Sequence, residues 1–512
     1  MLSFKPGAWL TAALVMAAAG AGPAWARQGQ SGPAPAAQQP APQAQPPAGA
    51  PEAPAAQQPA QPDAGARKPR RASRRTPRAS GRQPAAVSQD FLDEARAPRD
   101  PGPVRRELML TASAMGGYDD NVTEGLGSGS FGRLVMASGS TADGEAALSY
   151  FVGNAARSLR ADAAGTLMHY PKYLDKPAAG AFASLGATTR AGRRVTLRAS
   201  ERVGYEPFFS VYAPPGSGGA LPSAGAGGVR AAELFERRSL NTNTTAGIDT
   251  RWTPRNSTSL SYSYGVRRYT GNTDYGDSRS HTADARYRLI LSRAAAWNVD
   301  YRFQDLEYTY ADALARPVRT HRIEAGPDIV KPFSRRTGLR VSLAAGAGRV
   351  ESWARAETGT IASWAMTGRA SASLAVSPTW SIDADYRRDF SMFQSVTDEV
   401  YTTDTARVST GGLLGRRAAL SLGTSYSNWK TPYAGRISGT FDVYGASAQL
   451  RVAVTRALAA TAGYYYYRHR YSDPGALPEG FPAAFDRNAV RVGLSLAVPL
   501  AASSSQRPLS QR

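Results

Sequence analysis

The 512-residue chain contains no cysteine, and that absence excludes disulfide frameworks and thiolate metal sites together. Lysine is nearly missing as well. Lys5, Lys68, Lys172, Lys176, Lys331 and Lys430 are the full set, so arginine carries the formal net charge of +21. Histidine is limited to His169, His281, His321 and His469. No segment beyond the N-terminus holds the ~18 or more consecutive apolar residues of a spanning helix, and the mean hydropathy is −0.37. No GxSxG, HExxH or P-loop pattern occurs, which removes the common motifs of hydrolysis, zinc and nucleotide chemistry. The arginine excess alone suits nucleic acid, anionic lipid or an acidic polymer equally.

What is present begins with an export signal. "MLSFKPGAWLTAALVMAAAGAGPAWA" has Lys5, an apolar stretch from Ala8 to Ala19 and a small-x-small site at Ala24-Trp25-Ala26. It predicts a signal peptide over 1–26; a short membrane anchor fits less well, because the stretch is brief and rich in Ala and Gly. Export argues against a nucleic-acid partner. Within the expected disordered periplasmic linker, 27–103, residues 28–88 are Pro-, Ala- and Gln-rich with almost no large apolar side chain. Extended, such a linker reaches on the order of 190 Å. Its block "RKPRRASRRTPRASGR" (67–82) reads as a soluble spacer, or alternatively as a contact with the acidic cell wall or headgroups.

After Val104 the texture changes and holds to Leu500, leaving 501–512 as a tail. Segments of ten to fourteen residues alternate apolar and polar side chains with a period of two, the mark of strands with two unlike faces. Eighteen strands are predicted, near 106–116, 144–153, 158–170, 179–190, 194–205, 239–252, 256–269, 279–291, 295–309, 319–330, 337–350, 361–375, 379–391, 401–414, 418–429, 439–453, 457–469 and 487–500. Every other connection is tiny, such as Thr253-Pro254-Arg255, Ser292-Arg293-Ala294 or Thr455-Arg456. Those between are longer, such as 117–143, 206–238 and 470–486. That alternation is the habit of an outer-membrane barrel, with short periplasmic turns and long external loops. The fold expected is therefore all-β: a transmembrane antiparallel up-and-down barrel of about 18 strands, over 104–500. In lipid such a sheet must close to satisfy its edges.

One parity is apolar. Leu260, Tyr262, Tyr264 and Val266 share a face, as do Trp380, Ile382, Ala384 and Tyr386. Trp252, Trp297 and Trp380 fall at expected periplasmic strand ends, and Tyr205, Tyr310, Tyr401 and Tyr464 towards external ends. These two sets are read as girdles. The other parity carries Arg198, Arg202, Arg267, Arg286, Arg288, Arg302, Arg322, Arg340, Arg369, Arg387 and Arg407, read as lumen residues that contact anions. Arg160, Arg451 and Arg491 share that parity. So do fewer acids: Asp162, Asp249, Asp284, Asp300, Glu324, Asp328, Asp383 and Asp385. About half of the arginines are expected to ladder with these acids across strands. The 206–238 connection, with Phe208 and Phe209, is the expected plug or constriction.

A signal peptide, a Pro/Gln-rich segment, a first strand running into "GGYDDNVT" (116–123) and one long barrel together resemble the β-barrel porin type 2 family. The motif part is Tyr118, Asp119, Asp120 and Asn121; the rest of the resemblance, over roughly 104–500, is architecture. It implies an outer-membrane barrel associated with exopolysaccharide or capsule export in Gram-negative bacteria. In outline the chain is also similar to the eighteen-stranded alginate exporters, whose arginine-lined pore passes an acidic polysaccharide. Arg491, Gly493, Leu496 and Val498 match the spacing of a barrel-assembly signal, with aliphatics in place of aromatics and a tail following.

Catalysis is not expected. The histidines lie near external strand ends, and parity puts His281 and His321 on the lipid side, away from the lumen acids. Residues 118–121 could hold calcium through oxygens, but a turn opening a loop is the favoured reading. No cofactor or metal is expected. The expected partners are outer-membrane lipid, the barrel-assembly machinery, an anionic solute or polysaccharide and, through 67–82, the cell wall. The leading reading is a porin-like channel or exporter. An envelope-anchoring barrel occluded by its loops is the alternative, and an outer-membrane hydrolase comes third.

Overall fold

The computed structural model describes residues 102–126, 133–171, 177–210, 233–269, 277–309, 315–334, 336–353, 360–392, 400–430, 440–472 and 483–505. The expected signal peptide, the linker with its 67–82 block, most of the long connections and residues 506–512 lie outside them. The first nine strands are β1 (Val104–Leu126), β2 (Arg133–Gly153), β3 (Arg157–His169), β4 (Ala178–Ala191), β5 (Val195–Ser210), β6 (Glu233–Arg251), β7 (Asn256–Tyr269), β8 (Asp277–Ile290) and β9 (Ala295–Thr309). The second nine are β10 (Ala315–Pro332), β11 (Gly338–Trp353), β12 (Thr360–Ala375), β13 (Ser381–Met392), β14 (Val400–Leu413), β15 (Ala418–Lys430), β16 (Thr440–Ala453), β17 (Leu458–Tyr471) and β18 (Ala484–Ser505). Each pairs antiparallel with its neighbours in sequence, and β1 pairs with β18. The result is a closed 18-stranded up-and-down barrel, with a strand at each of the eighteen expected positions.

Closure removes both sheet edges, so alternate side chains face either the inside or the outside of one continuous wall. Leu260, Tyr262, Tyr287, Trp297, Tyr301, Ile382, Tyr386, Val490, Val492 and Leu494 stand exposed on the outside, one parity along every strand. An apolar exterior of this kind is the surface of a barrel immersed in lipid.

The connections are short at one end only. Turns after the even-numbered strands run three to five residues, whereas the opposite connections run five to twenty-two. Most short turns are held by a side chain that accepts backbone N–H bonds. Asn154, Thr253, Ser292, Ser334, Ser377 and Thr455 each cap their own turn at 2.9–3.3 Å. The two remaining turns instead hold Gly192 (φ 76°) and Gly415 (φ 112°), where a side chain would be strained.

The strands outrun expectation at the long-connection end. β1 and β2 continue to pair as far as Leu126 opposite Arg133, inside the expected 117–143 loop. β5 and β6 do the same inside 206–238, and β18 runs to Ser505 because residues 501–505 pair with 104–108 of β1. Outside the membrane a hairpin is held by its ladder alone, so no apolar period marks its length in the sequence.

Candidate functional site

The interior is built by the parity that the apolar exterior leaves. Strand register places Arg198, Arg202, Arg267, Arg286, Arg288, Arg302, Arg322, Arg340, Arg369, Arg387 and Arg407 on the inner face. Most of them meet a carboxylate there. Arg302 and Asp284 are directly opposite on β9 and β8 and pair at 2.5 Å. Arg286 is opposite Asp300, which also accepts Arg369 from three strands away. Arg198 binds Asp249 at 2.7 Å, Arg387 binds Asp389 at 2.6 Å, and Arg288 lies 3.6 Å from Asp328. Arg267 reaches Glu206 at 3.9 Å, and Arg322 lies between Glu324 and Asp389. By contrast Arg202 covers the Phe182 ring at 5.3 Å, and neither it, Arg407 nor Arg451 has a carboxylate partner among the described residues. The positive surplus of the lumen is concentrated in these unpaired arginines.

Towards the long-connection end the lumen is packed. Trp429, Phe441, Tyr467, His469, Tyr471 and Phe485 lie on the inner face of β15–β18 and are buried. Tyr401 joins them, with its ring 6.1 Å from that of Trp429. It therefore does not belong to the outer girdle: its register partner is Ser391, on the inner parity. The neighbouring hairpin closes the space further. β13 stops pairing with β12 at Arg388, although both strands continue. Beyond that point Phe390 and Val400 pack against Val318 and Val350, which face inwards from β10 and β11. Asp389 meets Arg322 across the same gap. The tip of β13–β14 thus leans into the barrel. Of the expected 206–238 constriction, residues 211–232 lie outside the described residues; the stems are strand, and β6 also touches β1 although four strands separate them.

Residues 118–121 do not open a loop. They run along β1 and join it to β18. Asp119 is fully buried and takes both Nε and Nη2 of the buried Arg487, the former at 2.7 Å. Asp120 accepts the backbone N–H and the amide of Asn488 at 2.6 and 2.7 Å, while the Asn121 amide donates to the Asp486 carbonyl at 2.6 Å. The acids that looked available to calcium are spent on the seam. Among the described residues no group of acids and histidines could hold a metal ion. Of the expected assembly signal, Arg491 faces inwards and binds Asp143 at 2.9 Å, while Leu496 and Val498 face outwards. Gly493 sits where any side chain would collide with the Ala114 carbonyl of β1.

The histidines divide by face. His281 and His321 stand outside and share hydrogen bonds with the Tyr262 and Tyr301 hydroxyls at 2.6 and 3.0 Å. His469 lies inside, stacked on Phe485 at 5.4 Å and tilted against Phe441. His169 has outward register on β3.

No family model matches the chain, and no curated protein matches it. Among solved structures it is similar to OccAB4 of Acinetobacter baumannii, at 8% identity and a TM-score of 0.42, over 79% of this chain and 100% of that one. It is also similar to OpdL of Pseudomonas aeruginosa, at 11% identity and 0.39, over 77% and 99%. OccK2 (OpdF) of P. aeruginosa, crystallised with glucuronate, stands at 10% and 0.39, over 77% and 98%.

A second group of inner-face arginines was missed in the sequence. At the short-turn end Arg190, Arg251, and the turn residues Arg194, Arg255 and Arg417 continue the inward register. Arg194 lies opposite Arg251, Arg255 opposite Ile290 and Arg417 opposite Ala453, each joined by a ladder hydrogen bond of 2.7–2.8 Å. Arg255 and Arg417 read as loop, and Arg190, Arg194 and Arg251 fall at the ends of expected strands without being assigned to the lumen; the parity of the adjoining strand was the available signal.

Proposed function

We propose that the chain is an outer-membrane, porin-like channel that passes anionic solutes, with acidic exopolysaccharide as its cargo. The observation that carries this reading is the contrast of the two faces. A closed barrel with an apolar exterior is a membrane wall, and one of eighteen strands is in the range that leaves an aqueous path. Its interior is arginine-rich and retains arginines, such as Arg202 and Arg451, that pair with no acid among the described residues, which raises the concentration of anions within a low-dielectric wall. The short-turn end then faces the periplasm.

The pairing pattern decides which residues to test. Neutralising Arg302 would strand Asp284, and neutralising Arg286 would leave Asp300 with Arg369 alone. Arg202 has no carboxylate partner among the described residues, and Arg407 stands opposite Asp385 without an ion pair. In planar bilayers under a salt gradient the wild type is expected to show an anion-selective reversal potential, and Arg202→Gln with Arg407→Gln to shift it towards zero. A cation-selective wild type would overturn the reading. The packed long-connection end favours one competing reading, an occluded barrel that anchors the envelope. Absence of any conductance, even after deletion of residues 211–232, would support that reading instead.

A further inference from the structure

The two ends of the barrel treat charge differently. Several outward-facing charges at the long-connection end are matched: Arg319 with Asp305, Arg349 with Glu351, Arg388 with Asp404 and Arg468 with Asp486, at 2.6–3.8 Å. The eight short turns carry no acid at all, and most carry arginine. Three of those arginines fall on the inner register, next to Arg190, Arg251 and Arg451. Arg251 and Arg190 are close enough to repel each other, an arrangement that an anion between them would relieve. Asp249, two residues above Arg251 on the same face, is already bound to Arg198.

The spacing speaks to the shape of the ligand. Arg190, Arg194, Arg251 and Arg255 lie along successive strands from β4 to the turn before β7, at a lateral repeat of ~4.8 Å. Arg417 lies in the turn before β15 and Arg451 on β16, and β15 is nine strands from β6 in a ring of eighteen, so they face the first group across the mouth. A small anion would occupy one gap of such an arc. A linear chain with one carboxylate per sugar would meet several arginines at once, and the opposite wall would hold it over the opening.

We propose that this mouth is a loading site for a linear polyanion arriving from the periplasm. The direction it implies rests on the channel reading above; the binding itself does not. With the long-connection end packed by aromatics and the short-turn end cationic, a polymer is captured at the inner mouth and moves outwards.

The test separates binding from conduction. In bilayers with the protein inserted from one side, a short oligogalacturonate should block the current at a concentration about tenfold or more lower from the short-turn side than from the other. Arg194→Glu, Arg251→Glu and Arg255→Glu together should abolish that asymmetry, read as the ratio of the blocking concentrations from the two sides. Equal block from both sides, or asymmetry that survives the triple variant, would overturn the site. If no current flows at all, binding of fluorescent oligogalacturonate to the full chain in nanodiscs still decides. Binding that the triple variant loses upholds the mouth site without the channel. Absent binding, or binding that the variant keeps, overturns it; retention would point to the 67–82 block. A Lys triple variant at the same positions keeps the charge and should bind as the wild type does, which controls for folding.

Discussion

At the scale of single residues, the clearest device is an outward tyrosine whose hydroxyl is tied to the next strand. Tyr386 donates to Asp404 at 2.6 Å, Tyr426 to Asp442 at 2.8 Å, Tyr464 to Asn488 at 2.7 Å and Tyr466 to Asp486 at 3.2 Å. Tyr262 with His281 and Tyr301 with His321 repeat the pattern. In each case the tyrosine is on an odd-numbered strand, and its partner is one diagonal step nearer the long-connection end. A ring lies in lipid and its hydroxyl meets a polar group at the water boundary, the arrangement that makes tyrosine an interfacial residue. The opposite boundary uses tryptophan. The indole of Trp252 donates to Thr258 at 2.8 Å and that of Trp380 to the Leu413 carbonyl at 3.0 Å. Tyr426→Phe should therefore cost about 1 kcal/mol in urea unfolding of the barrel in lipid. Tyr287→Phe, which loses no hydrogen bond among the described residues, should be nearly silent. Equal costs for the two would contradict the pattern.

At the scale of elements, the seam of β1 with β18 is the place where the barrel is most exposed to failure. It has a bulge at Leu108/Met109, and on its other side β1 has a second shift against β2 after Asp119. The Asp119–Arg487 pair, Asp120 with Asn488, and Gly493 against Ala114 all lie along it. Removing one member of a buried ion pair leaves the other uncompensated, at a cost of roughly 3–5 kcal/mol. Asp119→Asn should lower unfolding stability by that order. Asp119→Leu with Arg487→Leu should recover much of the loss, since neither charge is then stranded. A double variant as damaged as the single one would mean that the seam needs this pair for its geometry.

At the scale of the whole molecule, the lumen is graded from a cationic end to a packed aromatic one. The lean of β13–β14 sets that gradient and depends on one acid: Asp389 holds Arg387 of its own strand and Arg322 of β10. Asp389→Asn should loosen the tip, and single-channel recordings should show larger and noisier openings. An unchanged trace would assign the constriction to another part of the barrel.

The sequence's legibility followed the same scales. Inner and outer faces were readable because lipid enforces a period of two, and every arginine assigned to the lumen has that parity in the register. Their neutralisation was readable only in part. Asp284 and Asp300 lie directly across from Arg302 and Arg286, so a hairpin alignment finds them. The contacts of Arg369 with Asp300 and of Arg322 with Asp389 each join strands three apart, and nothing local specifies them. Tyr401 was misassigned for a related reason. A one-residue change in where β14 was taken to face moves the ring from the exterior to the lumen. Residues 118–121 looked like a loop because acids and asparagine favour turns, while their true partners lie more than 360 positions away.

That separation has a consequence for manufacture. Translation delivers Asp119 early and Arg487 near the end, 368 positions later. Throughout that interval the first strand carries an acid with no guanidinium to receive it and an edge with no ladder to join. A chain cut short before β18 has all of its arginine-lined wall but no means of shutting it. Its β1 edge stays open to proteases and to other chains. The seam can therefore form only after β18 has been made.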